Sequence, residues 1–77
     1  MKHIIINPND IYIVDNIEYF KFTDGHRTYR DIHTNLSNND IYTLKRIATI
    51  CELENFRQLN KKNLVNLIEK SNCLIIA

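Results

Sequence analysis

Seventy-seven residues, 44% of them hydrophobic, with a formal net charge of +1, predict one small domain with a thin stability margin, because a short chain buries a modest share of its surface. Four Tyr, three Phe and thirteen Ile exclude a disordered chain, and no apolar run approaches the length of a transmembrane helix. A near-neutral charge counts against a strongly electrostatic nucleic-acid binder, although residues 37–77 carry six Lys/Arg and four Asp/Glu against four and five in residues 1–36.

The Ile/Asn/Lys bias, with eleven Asn, points to an AT-rich genome such as that of a phage or large virus. Met1-Lys2-His3 precedes only three apolar residues before Asn7-Pro8-Asn9-Asp10, so no signal peptide is expected. Cys51 and Cys73 match neither a metal-ligand spacing nor a redox CxxC pattern. They are expected as free buried thiols in a reducing, cytoplasmic compartment, or in a virion or host cytoplasm if the chain is viral.

In chain order, His3 to Ile6 is short and β-branched, and Asn7 to Asp10 breaks it with turn chemistry. Ile11 to Val14, Asp15-Asn16 and Ile17 to Thr23 predict a β-hairpin, since Asp and Asn tolerate the positive φ of a two-residue turn. Asp24-Gly25 predicts a second tight turn, with His26 to Arg30 returning as a third strand. The result is a three-stranded antiparallel meander over residues 11–30. Alternation assigns Ile11, Ile13, Phe20, Phe22 and Tyr29 to a core face, with Glu18 and Arg27 near its ends. The opposite face receives Tyr12, Val14, Ile17, Tyr19, Lys21, Thr23, His26, Thr28 and Arg30. Residues 31–36 connect the halves, with room for a helical turn.

Ser37-Asn38-Asn39-Asp40 fits a capping box with Ser37 as N-cap. Ile41, Leu44, Ile47, Ala48 and Cys51 follow at helical spacing, and the helix should end near Cys51-Glu52. Leu53, Phe56 and Leu59 anchor a loop. Asn60 caps a second helix with a Leu59–Leu64 staple, Leu64, Leu67 and Ile68 as its buried stripe, and Ser71-Asn72 as its end. The apolar tail Cys73 to Ala77 should add a strand beside the N-terminal segment or pack on a partner. The expected fold class is α+β: a small meander (1–36), a helix–extended loop–helix hairpin (37–71) and a C-terminal tail or strand (72–77).

Residues 44–70, LKRIATICELENFRQLNKKNLVNLIEK, carry a resemblance. With Leu53-Glu54-Asn55, the basic Lys61 and the closing Leu64, Leu67 and Ile68, they resemble the helix–extended loop–helix family that includes the N-terminal helical subdomain of transcription termination factor Rho. More distantly they resemble SAP and LEM domains, whose loop glycines are missing here. The resemblance implies a module that binds DNA, RNA or protein, and in SAP-like modules the start of the second helix approaches the backbone.

The candidate nucleic-acid-binding residues are therefore Lys45, Arg46, Arg57, Lys61 and Lys62. Basic side chains and free N–H groups at a helix start suit phosphate. The plain alternative is solvated charge, offset by Glu52, Glu54 and Glu69. Tyr12, Tyr19, Lys21 and Arg30 offer a base-stacking face, unless the helices cover that face as part of the core. His3, His26 and His33 with Asp24 and Asp31 meet no zinc spacing, so no metal or cofactor is expected. Cys51 sits on an apolar stripe and reads as an inert thiol. With no Gly-rich phosphate loop and no triad context, an enzyme is not expected. The competing function is a structural or protein-interaction module, either a minor particle component or a small regulator. It would associate with itself or a partner through residues 73–77 or a sheet edge, without a membrane.

Overall fold

The computed structural model describes residues 2–77. Its elements are Ile4–Ile6 (β1), Ile11–Val14 (β2), Ile17–Thr23 (β3), Thr28–His33 (β4), Ile41–Ile50 (α1), Lys61–Ser71 (α2) and Leu74–Ile76 (β5), with 3-10 turns at Pro8–Asp10 and Leu36–Asn38. The class is α+β: an antiparallel sheet β2-β3-β4, a parallel pair β1-β5 and two helices.

Local chemistry explains the first hairpin. Asp15 and Asn16 both take left-handed φ, 52° and 64°, which matches the right-handed twist of paired strands. The register sets Ile11 opposite Phe20 and Tyr12 opposite Tyr19. The second connection differs from the two-residue turn expected at Asp24-Gly25. Four residues, 24–27, form the loop, closed by Asp24 N–H to the Arg27 carbonyl at 3.2 Å. The Asp24 carboxylate is the reason. It accepts from the backbone N–H of both His26 (2.9 Å) and Arg27 (3.0 Å), an Asx arrangement that a two-residue turn has no room for.

The meander also runs past Arg30, to His33. Phe22 pairs with Tyr29 but Phe20 pairs with Ile32, so β4 holds one extra residue in a β-bulge. Asp31 supplies it with φ 58°. Its N–H, unpaired by the ladder, donates to the Tyr12 hydroxyl at 2.7 Å, and that hydroxyl donates to Asp31 Oδ1 at 2.6 Å. The bulge reverses the alternation of β4. Ile32 turns inward and is buried, while His33 turns to the other face beside Tyr19.

One core joins Ile4 and Ile6 of β1, Phe20, Phe22 and Ile32 of the sheet, and the inner stripes of both helices. The helices therefore cover the Phe20 face, and the Tyr12 face stays open. Ile13, assigned to the core face by alternation, is 67% exposed: the hairpin tip projects past the helices, and no partner remains for it there.

Helix α1 begins later than the capping box suggested. Asp40, not Ser37, is the N-cap, accepting from Thr43 N–H at 2.7 Å. Ser37 donates instead to Asn35 Oδ1. Residues 37–39 do not join α1: Leu36–Asn38 form their own 3-10 turn, and Asn39 is buried, accepting from His33 N–H and donating to the carbonyls of His33 and Leu36. The stripe is as read: Leu44, Ile47, Ala48 and Cys51 are buried and Ile41 packs on the core. The loop to α2 passes through left-handed Glu52 and Asn55 and is pinned by buried Phe56. Asn60 caps α2 through Asn63 N–H at 2.9 Å, and Asn72 ends it at φ 54°. Val65 joins Leu64 and Ile68 in the buried set, while Leu67 is only partly covered. The tail pairs with β1 as a parallel strand, Ile4 opposite Leu74 and Ile6 opposite Ile76.

Candidate nucleic-acid interface

The sheet ends at β4, and α1 runs beside that edge. Between them lies a groove of about 430 Å³ whose wall brings together Arg27, Tyr29 and Arg30 from the β4 segment with Tyr42 and Arg46 from α1. Local structure places each. The Asp24 loop directs Arg27 over the Tyr29 ring, its guanidinium carbon 4.9 Å from the centroid; Arg46 approaches the same ring at 5.6 Å. Tyr29 is held by Phe22, centroids 5.1 Å apart, and by its hydroxyl to Asp24 Oδ2 at 3.0 Å. Cations near an aromatic ring are attracted by its quadrupole, so this stack fixes two guanidinium groups without neutralising them. Tyr42 is 78% exposed and, four residues before Arg46, shares its side of α1.

Two carboxylates temper the charge. Asp31 is engaged with Tyr12, and Asp40 with the first turn of α1. The backbone hydrogen bond from Thr43 is the main reason that Asp40 titrates below the usual carboxylate range, with a smaller contribution from the charge of Lys61. Asp24 is held at about 2 by the His26 and Arg27 N–H groups. Against these carboxylates, Arg27, Arg30 and Arg46 are the cations that line the groove. An adjoining depression shares Tyr29, Tyr42 and Arg46 and adds Lys45.

Of the nucleic-acid-binding candidates named from sequence, Arg46 is brought to this groove and Lys45 to the adjoining depression. Arg57 lies on the interhelical loop, over the Phe56 ring at 5.5 Å. Lys61 and Lys62 open α2 in a separate shallow depression with Ser37 and Val65. Sequence reading missed Arg27, Tyr29 and Tyr42. The Arg27-x-Tyr29-Arg30 triplet and the Tyr42-x-x-x-Arg46 pair were the available signal, and only the packing of β4 on α1 joins them.

The open face of the sheet carries a second set. Tyr12, Tyr19 and His33 form a row across β2, β3 and β4, with ring centroids 5.9 Å and 4.7 Å apart. Neither tyrosine packs against the core. The Tyr12 hydroxyl titrates above its ordinary range, because of partial desolvation and its bond to Asp31. Lys21 follows Tyr19 on this face by strand alternation, and Val14 and Ile17 extend it at the hairpin tip, 50% and 43% exposed.

Cys51 and Cys73 are buried free thiols. Cys51 Sγ lies 4.0 Å from the Cys73 carbonyl. Its hydrogen bond with Cys73, and then burial, push the Cys51 thiol far up, which makes it a poor nucleophile. Among the described residues no group of three or more His, Cys, Asp or Glu is placed to hold a metal ion. No helix among them is long and apolar enough to cross a membrane. Comparison with protein-family models, curated proteins and solved structures finds no match to this chain.

Proposed function

We propose that the protein is a small, non-enzymatic nucleic-acid-binding module that grips the phosphate backbone in the groove between β4 and α1. The observation that carries this reading is the convergence of Arg27, Arg30 and Arg46 with Tyr29 and Tyr42 on one groove. Arginine presents a planar fork that matches phosphate oxygens, and the tyrosines add flat apolar surface beside it. The resemblance of residues 44–70 to Rho-type and SAP-like modules includes nucleic acid among its implied ligands, beside protein. Lys61 and Lys62 act as outlying contacts from a separate depression, with Lys61 near enough to Asp40 for its charge to act there.

Three phosphate contacts on a single strand give a slope of log affinity against log salt of about −2. Fluorescence anisotropy with labelled DNA and RNA oligonucleotides between low and physiological salt measures it. No binding to any of them at low salt ends this reading.

A second reading has its own observation. Ile5 and Ile76, at the β1-β5 pair, are 58% and 61% exposed, and an open sheet edge is a template for another strand. A second copy paired there makes a dimer. Sedimentation velocity over a concentration series tests it, with Ile5→Lys as the variant that returns the monomer.

A further inference from the structure

We infer that the open face of the sheet is a base-stacking platform, so that the protein selects single-stranded over duplex nucleic acid; this rests on the backbone-binding reading above. The helices occupy the Phe20 face, which leaves Tyr12, Tyr19 and His33 outside the core in one row on three adjacent strands. Three features separate this row from ordinary surface aromatics.

The first is pre-organisation. Tyr12 springs from β2, yet its hydroxyl is bonded to Asp31 on β4 at both the carboxylate and the N–H. The side chain therefore reaches across β3 and is held at both ends, by its backbone on β2 and by Asp31 on β4. Tyr19 is inclined to it by only 24°. A ring already fixed in place loses little entropy when a base stacks on it.

The second is that the row exists only because of a local distortion. Without the bulge at Asp31, His33 would point into the core side and Ile32 would take its place outside. Bulges recur where a strand must re-aim a side chain, and here the same aspartate that makes the bulge also fastens Tyr12.

The third is continuity with the cations. Arg30 and Asp31 line the groove, and Asp31 also holds the platform through Tyr12. The two surfaces meet at the β4 edge. A strand whose phosphates lie against Arg27, Arg30 and Arg46 passes over that edge with its bases on His33, Tyr19 and Tyr12, and with Lys21 beside the backbone. Bases paired inside a duplex have no free face to offer. Stacking of this kind tolerates any sequence, because every base has a π-face.

The test keeps the wild-type protein and varies the ligand. Three probes of about ten nucleotides are compared by anisotropy at one low salt concentration: a thymidine strand, the same sugar-phosphate chain made abasic, and a duplex. The expected result is at least about tenfold tighter binding of the thymidine strand than of either other probe. The chain has no Trp and four Tyr, two of them in the row, Tyr12 and Tyr19, so tyrosine emission should fall further with the thymidine strand than with the abasic chain. Tyr19→Ala and His33→Ala, verified as folded by circular dichroism, should bring the thymidine strand down to the abasic level. Equal binding of all three probes overturns the platform and leaves backbone binding standing. Binding of none overturns both. A concentration-dependent dimer that Tyr19→Ala abolishes assigns the face to a second copy of the chain and overturns the platform as well.

Discussion

The two faces of the three-stranded sheet are built from the same alternating strands, yet they do opposite work. The inner face places Phe20, Phe22 and Ile32 under two helices, and all three are buried. The outer face holds rings as well, Tyr12, Tyr19 and His33; they lie outside the core cluster but are half-buried, and His33 Nδ1 is enclosed without a hydrogen-bond partner. Hydrophobic burial needs only apolar area removed from water. The outer rings carry polar tips and are ordered by hydrogen bonding and mutual contact. The difference teaches that an aromatic residue on a strand joins the core or stays outside it according to which side the helices take.

The largest test of that contrast is stability. Phe20→Ala should cost about 3–5 kcal/mol by removing a buried ring, enough to leave a domain of this size mostly unfolded. Tyr19→Leu, directly beside it in sequence, should shift the urea midpoint little. A comparable loss at both positions would mean that the outer face is also core.

The next test concerns binding. Arg30→Glu with Arg46→Glu should reduce the salt slope on a single strand by about 1 to 2 and weaken low-salt affinity at least about tenfold. Lys61→Glu with Lys62→Glu should weaken it less. The reverse order would move the interface to the start of α2.

A smaller effect isolates the bulge. Tyr12→Phe keeps the ring but removes the hydroxyl that both accepts from and donates to Asp31. Stability should fall by about 1 kcal/mol, and amide exchange at Asp31 should accelerate, which proton NMR reads directly. No change in exchange would show that the bulge holds without its clamp.

The smallest effect is with pH. Asp24 is depressed in the folded state to about 2 from an ordinary 3.8. A depressed carboxylate contributes stability that is complete above its unfolded value and is lost as pH falls through the folded one. The loop 24–27 should thus loosen between about pH 4 and pH 2, which the chemical shifts of His26 and Arg27 amides report. Asp24→Ala should remove that step.

Much of the architecture was legible locally. The helix stripes, the Asn60 and Asn72 caps and the Asp15-Asn16 turn follow from periodicity and turn chemistry within short windows, whereas the tail's pairing with β1, one of two expectations, joins the two ends of the chain. The places where local reading went astray share one cause. Ser37 lost the cap to Asp40 because Asn39 was needed elsewhere, for His33 and Leu36. The Asp24-Gly25 turn widened because a carboxylate found two N–H groups. Each outcome was decided by a polar group with more than one suitor.

The candidate site was half legible. Arg46 and Lys45 stand out on a helix, and Tyr12, Tyr19, Lys21 and Arg30 stand out on a face. Their union with Arg27, Tyr29 and Tyr42 depends on β4 lying at the sheet edge beside α1, a long-range fact. The sequence by itself determined which residues alternate, which turn and which cap, because those depend on neighbours a few positions away. Only the tertiary structure decided which face of the sheet meets the helices and, through a single left-handed residue at Asp31, that His33 and not Ile32 completes the outer row. That choice is energetic: Ile32 gains burial by turning inward, and the unpaired N–H this leaves at Asp31 is satisfied by the hydroxyl of Tyr12.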